Sequence, residues 1–183
     1  MENPYKRKKD PEASKQLILN IAAEIGATAG WHQVTFQAIS DQTGLSKGGI
    51  IHHFRNKEEL LEELVRQSLV ELTDWTIEEK KASGNDIAPI AFLRFVIKKS
   101  SDLHYRRTMK VILQAALINE HYKEMWDEWL TKHIAGGSVA NLDVNGLIII
   151  LVADGLWYAD NLGLYGISDE KKEQIVSKLL NLN

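Results

Sequence analysis

The sequence predicts an all-α protein of about nine helices, and three observations carry that reading. Apolar residues recur at intervals of three and four along most of the chain, the spacing of one helix face. No stretch alternates apolar and polar residues as a half-buried strand does, and no repeat or low-complexity segment interrupts the pattern. Residues 35–57, TFQAISDQTGLSKGGIIHHFRNK, read as two short helices around one tight turn.

The first helix opens at Pro11 and Glu12 and runs to about Ala29, with Leu17, Ile18, Ile21, Ala22 and Ile25 on one face and Gly30 as its stop. Trp31 and Val34 bridge to Thr35, whose hydroxyl suits the N-cap of a second helix. Val34 and Ile39 have hydrophobic-staple spacing around that cap. Gly44 stands where a helix closes through a left-handed residue, Leu45 follows as an apolar plug, and Ser46 caps a third helix. Ile50 and Phe54 then face inward with Phe36, Ile39 and Leu45, leaving Lys47, Gly48, Ile51 and His52 outside. This is a helix-turn-helix arrangement, whose second helix can lie in a DNA major groove.

Two consecutive glycines in the first turn of a helix each weaken it by roughly 1 kcal/mol relative to alanine. Their presence at 48 and 49 fits close approach of the backbone to bases or phosphates, with the helix-terminal amides aimed at an anion. The plain alternative is a glycine-rich loop between two ordinary helices.

Asn56 and Glu59 have the spacing of a capping box for a helix over about 57–82, with Leu60, Leu61, Leu64, Val65, Leu69 and Leu72 along it. That helix links the DNA-facing end to the rest. Ser83-Gly84-Asn85-Asp86 is a break, and Asp86 can cap a helix to about Ser101 that keeps Pro89 in its first turn. Helices over 103–118 and 121–135 follow, joined near Asn119 and ended by Gly136-Gly137. The most apolar helix spans 142–165 and stops at Gly166; Ser168 caps a last one at 169–181. The division is a helix-turn-helix DNA-binding domain, 1–56, and a helical body, 57–183.

Composition agrees. A chain of 183 residues with 44% hydrophobic and 26% charged residues holds one substantial domain or a small one fused to a medium one. It has no cysteine, which removes disulfides and thiol nucleophiles and suits a reducing compartment; a cytoplasmic location is expected. The start MENPYKRKKDPE has no apolar core behind its charges, so it does not read as a signal peptide, and LIIILVA at 147–153 is too short to span a bilayer. Net charge is −3, yet residues 1–57 hold eight Lys/Arg against five acids, a net of +3 that leaves −6 on the remainder. A basic head on an acidic body is the footprint of a DNA-contacting protein. The KRKK run at 6–9 is either a solvated tail or an arm on phosphates.

Thr35, Ile39, Gly44, Leu45, Ser46, Gly48, Ile50, His53, Phe54, Asn56, Lys57, Glu58 and Leu60, taken in one register, resemble the N-terminal signature of the tetracycline-repressor (TetR) family of bacterial transcriptional regulators. The resemblance covers about residues 13–62. It departs at Ile51, where the family usually has tyrosine, and at Ser40 and Thr43, where alanine is common. Losing the tyrosine removes a phosphate or base contact, which Ile51 can replace by packing on a thymine methyl. The resemblance implies a homodimer in which the last two helices of each subunit form a four-helix bundle; the helix around 147–153, apolar on nearly all sides, requires such cover. A symmetric dimer presents two recognition helices about 34 Å apart, or more widely in TetR-like regulators, to a double-stranded, roughly palindromic operator.

The expected DNA contacts are Thr35, Ser46, His53 and Lys57 on phosphates, with Lys47, Gly48, Gly49, Ile51 and His52 facing the groove. In the body, Ile150, Asp154, Trp157 and Asn161 lie on one stripe, and a carboxylate and an amide on an apolar stripe need partners, water or a ligand. Two readings stay open. One is an effector pocket for a small, mostly apolar molecule, drawn from Trp75, Phe92, Met109, Leu113, Trp126, Trp129, Asp154, Trp157, Tyr158 and Asn161. The other is ordinary core and dimer packing with Asp154 paired to a neighbour. None of the six histidines has a metal-site spacing, and no phosphate loop, dinucleotide fingerprint or nucleophile elbow occurs, so no metal, cofactor or catalytic residue is expected. The expected function is a transcriptional regulator, most simply a repressor released by its ligand. The alternatives are a regulator whose body receives a protein partner, and a helical scaffold or enzyme that has lost DNA binding.

Overall fold

A computed structural model describes residues 10–83 and 88–181. The basic run at 6–9 and the expected cap Asp86 lie outside the described residues. Nine α-helices fill the described residues: α1 (Pro11–Ala29), α2 (Phe36–Thr43), α3 (Lys47–His53), α4 (Lys57–Ser83), α5 (Ala88–Lys99), α6 (Leu103–Ile118), α7 (Glu120–His133), α8 (Val144–Leu162) and α9 (Asp169–Leu180). Short 3-10 turns sit at Trp31–Gln33 and Val139–Asn141.

Side-chain caps explain most of the boundaries. Asp10 caps α1 by accepting from the Glu12 and Ala13 amides at 3.1 and 3.2 Å, and the helix opens at Pro11 as the sequence suggested. Thr35 accepts from Ala38 at 3.0 Å and Ser46 from Gly49 at 3.1 Å. Gly44 closes α2 in the left-handed region at φ 71°. The capping box at 56–59 is only half formed: Asn56 accepts from the Glu59 amide at 2.7 Å, but the Glu59 carboxylate accepts from the Arg55 amide at 2.8 Å, not from Asn56. Helix α8 is shorter than the expected 142–165. Asp143 caps it through the Gly146 amide at 2.7 Å, and Gly163, not Gly166, ends it in the left-handed region at φ 66°.

Helices α1–α3 pack together, and α1 also lies against α6. From there α4 runs beside α5, α6 and α7, while α5 packs on both α8 and α9. One continuous apolar core results, from Ile18, Leu19 and Ile39 at one end through Leu60, Leu64 and Leu72 of α4 to Phe92, Ile149 and Val176 at the other. The buried Lys172 ammonium ties α9 to α8 through Asp160 at 2.8 Å.

Candidate DNA interface and ligand cavity

The turn between α2 and α3 is held by side-chain hydroxyls at two positions where the resemblance anticipates alanine. Ser40 donates to the Leu45 carbonyl at 2.6 Å, and the Leu45 amide donates to Thr43 Oγ1 at 3.2 Å. Both bonds clamp the residue that plugs the turn, so the angle between the two helices is set by hydrogen bonds as well as by Ile39, Ile50 and Phe54 beneath.

On the far side of α3, Lys47, Gly48, Ile51 and His52 form one exposed ridge, with Ile51 half in solvent at 50%. Gly49 and His53 are half-buried at its flank. A Cβ at Gly48 would meet nothing within 4 Å, so the fold itself does not demand glycine there. Thr35 and Ser46 are exposed, and because each uses its oxygen as the cap acceptor, its own hydroxyl hydrogen remains free to donate to a phosphate. Lys57 sits differently from the rest. Its Nζ donates to the Trp31 carbonyl at 2.6 Å and lies 5.3 Å from the Trp31 ring, and burial pulls its pKa below the usual lysine range. It therefore holds the Trp31 turn against α4, with two hydrogens left for another acceptor.

In the body the structure gathers six of the ten expected pocket residues and disperses four. Met109 and Leu113 of α6, Trp126 of α7, and Asp154, Trp157 and Tyr158 of α8 line one cavity of about 90 Å³, joined by Ile112 and Ala116. Those two continue the Met109 and Leu113 stripe at helical spacing, the signal that would have found them. Trp129 is elsewhere because its indole N–H donates to Thr73 of α4 at 2.9 Å. Phe92 is packed in the core between Phe95 and Trp129. Trp75 stacks on Phe95 and meets Tyr105 and His104 edge-on. Asn161 turns back to its own helix, donating to the Trp157 carbonyl at 2.9 Å and accepting from Arg106 Nε at 3.4 Å.

Asp154 is half-buried with no hydrogen-bond or ion-pair partner among the described residues, and burial pushes its carboxyl up to about 6. The Trp157 indole N–H in the same wall is buried and also lacks a partner. A larger depression of about 700 Å³ lies between Trp31, Lys57, Leu61, Gln114, Leu117 and Tyr122. It is more open, and no buried side-chain polar atom in its wall lacks a partner, in contrast to the cavity beside Asp154.

Gln114 was missed by the sequence reading. From α6 its side chain accepts from the Trp31 amide at 2.9 Å and donates to the Gly26 carbonyl at 3.0 Å, joining the body to the end of α1. No group of three or more metal-ligating side chains is assembled among the described residues, and no helix there is long and apolar enough to cross a membrane.

Residues 18–64 match the model of the bacterial regulatory proteins, tetR family, and residues 90–183 match the tetracyclin repressor-like C-terminal domain. The chain is 26% identical over 164 residues to the HTH-type transcriptional repressor KstR2 of Mycolicibacterium smegmatis, covering 80% of this chain and 78% of that protein. To the HTH-type transcriptional regulator RutR of Escherichia coli K12 it is 27% identical over 169 residues, covering 85% and 78%. Its fold is similar to the crystal structure of a transcriptional regulator from Saccharomonospora viridis in complex with choline, with a TM-score of 0.69 at 20% identity over 94% of this chain and 97% of that one.

Proposed function

The chain belongs to the tetR family of bacterial regulatory proteins, and on that premise we propose that it is a dimeric, ligand-released repressor that reads a palindromic operator through α3. The observation that carries the reading is the ridge of Lys47, Gly48, Ile51 and His52, left exposed on a helix that Ser46 caps and Ile50 and Phe54 anchor. Such a ridge can enter a major groove, with Thr35, Ser46, His53 and Lys57 on the flanking phosphates and the ridge with Gly49 reading bases.

Dimerisation through the last two helices is supported by α8, whose outward face carries Val144, Leu147, Ile148, Leu151 and Leu162; Leu151 and Leu162 are 61% and 66% exposed in the single chain. Apolar residues at that density on one helix call for a partner surface. The outward face of α9 is polar, with Lys171, Glu173, Gln174, Ser177 and Lys178, so α8 supplies most of the apolar contact. The protein acts in the cytoplasm as a non-enzymatic regulator.

The signal runs through α6. One face of that helix walls the cavity with Met109, Ile112, Leu113 and Ala116, and its neighbouring face carries Gln114 to the end of α1. A ligand that displaces α6 changes both Gln114 bonds and so the placement of α1 and α3. A coupling of about 1–3 kcal/mol between ligand and operator is the usual scale.

The test is capture of fragments from the source genome at physiological salt with excess non-specific DNA. Enrichment of a few fragments that share an inverted repeat supports the reading. Binding that is uniform across fragments and vanishes with salt contradicts it.

A further inference from the structure

The carboxylate in the cavity wall has no counter-charge among the described residues. None of Met109, Ile112, Leu113, Ala116, Trp126, Trp157 and Tyr158 can be a cation, and Asp154 forms no ion pair. Other partly buried carboxylates of the body are neutralised: Asp160 on the same helix meets Lys172 at 2.8 Å, and Glu79 of α4 meets Lys98 at 3.1 Å. With a carboxyl near 6, Asp154 is mostly ionised at neutral pH, so the protein holds a negative charge against an aromatic and apolar wall. Such a charge destabilises the empty site and favours a ligand able to neutralise it.

We infer that the cavity takes a small organic cation, an amine or alkylated ammonium group, with Asp154 as its counter-ion and Trp126, Trp157 and Tyr158 as its aromatic walls. The inference rests on the reading of this cavity as the effector site and names the chemical class it admits. Three features converge on it. The carboxylate supplies the opposite charge, and the indole and phenol faces attract a cation through their quadrupoles. The volume of about 90 Å³ holds roughly three water-sized groups, enough for a compact head and too little for a drug-sized molecule. An anion would meet the carboxylate's repulsion. A neutral apolar ligand would strip water from the carboxylate and return nothing.

The test uses three probes of one shape and different charge: tert-butylammonium, tert-butanol and pivalate, compared at matched ionic strength. Binding is read by quenching of the cavity tryptophans and by calorimetry. Tert-butylammonium should bind and the other two bind far more weakly. Asp154→Asn, its folding checked by circular dichroism, should weaken the cation by about thirtyfold or more without weakening tert-butanol, which no longer has a carboxylate to desolvate. Trp126→Leu should weaken the cation more than the alcohol. If tert-butanol or pivalate binds as well as the cation, or Asp154→Asn keeps full cation affinity, the assignment of a cation is overturned while the cavity remains a ligand site. If none of the three binds, the reading of the cavity as an effector site fails with it.

Discussion

The Gln114 side chain on α6 accepts the Trp31 backbone N–H at 2.9 Å, a bond that spans 83 residues of sequence and joins the ligand-facing body to the DNA-facing end. Its other end donates to the Gly26 carbonyl at 3.0 Å, so both halves of one amide are engaged. Gln114→Leu removes both bonds and leaves the Trp31 N–H unmet, while the Gly26 carbonyl keeps the Gly30 amide. The expected result is a loss of roughly 1–3 kcal/mol in stability by denaturant melting. The ratio of operator affinities with and without ligand should also move toward one. A variant that melts lower but keeps the full ligand response would remove Gln114 from the signal path.

Gly48 separates folding from recognition. Because a methyl group there meets nothing within 4 Å, Gly48→Ala should raise stability by up to about 1 kcal/mol through helix propensity. In the proposed docking the same methyl would stand between the backbone of α3 and the groove. Operator affinity should fall by about tenfold or more, measured by titration of the captured fragment. Unchanged affinity would place Gly48 away from the bases.

The helix-turn-helix was legible because its determinants are local. Thr35, Gly44 and Ser46 act on amides within a few residues, and Ile39, Ile50 and Phe54 mark the buried side by spacing alone. The cavity was only partly legible, since helical period tells which face is apolar but not which helix will cover it. Trp129 looked like Trp126 in sequence until its N–H met Thr73, 56 residues away. Gln114 gave no signal at all: a glutamine on an amphipathic helix is unremarked until Gly26 and Trp31 arrive beside it. The end of α8 was misplaced because two glycines, 163 and 166, each satisfy the rule for a stop, and the first to adopt the left-handed turn wins.

The apolar face of α8 gives a direct prediction on assembly. Leu151 is 61% exposed in the single chain and lies mid-helix among Ile148, Leu147 and Leu162. Leu151→Glu places a charge at the centre of the proposed dimer contact. Sedimentation should show a dimer for the unmodified protein and a monomer for the variant, with helical content retained and operator binding reduced to the non-specific level. A dimer that survives the substitution would move the interface off this face.

Asp154 links stability to pH with a defined sign. Its carboxyl is raised to about 6 by burial, against about 3.9 for an unperturbed aspartate. The folded protein therefore holds this proton more tightly than the unfolded chain. The associated stability is present below about pH 4 and is lost as pH rises through 6. Asp154→Asn should accordingly be more stable than the unmodified protein at pH 7.5, by roughly 1–3 kcal/mol, with the gap closing toward pH 4. Melting of the two proteins across that range reads the difference directly; a gap that is constant with pH would mean the carboxyl is not shifted.

The uninterrupted core from Ile18 to Val176 bears on how this protein can be engineered. Grafting its DNA-reading end onto another sensor by cutting at the start of α4 would sever a shared interior, exposing Leu60, Leu64 and their neighbours on both fragments. A working chimera has to carry over the opposing surfaces as a matched set: the side of α6 that holds Gln114 and the stretch of α1 it grips. Retargeting is simpler on the outer ridge of α3, where residues can be exchanged without touching anything that holds the molecule together.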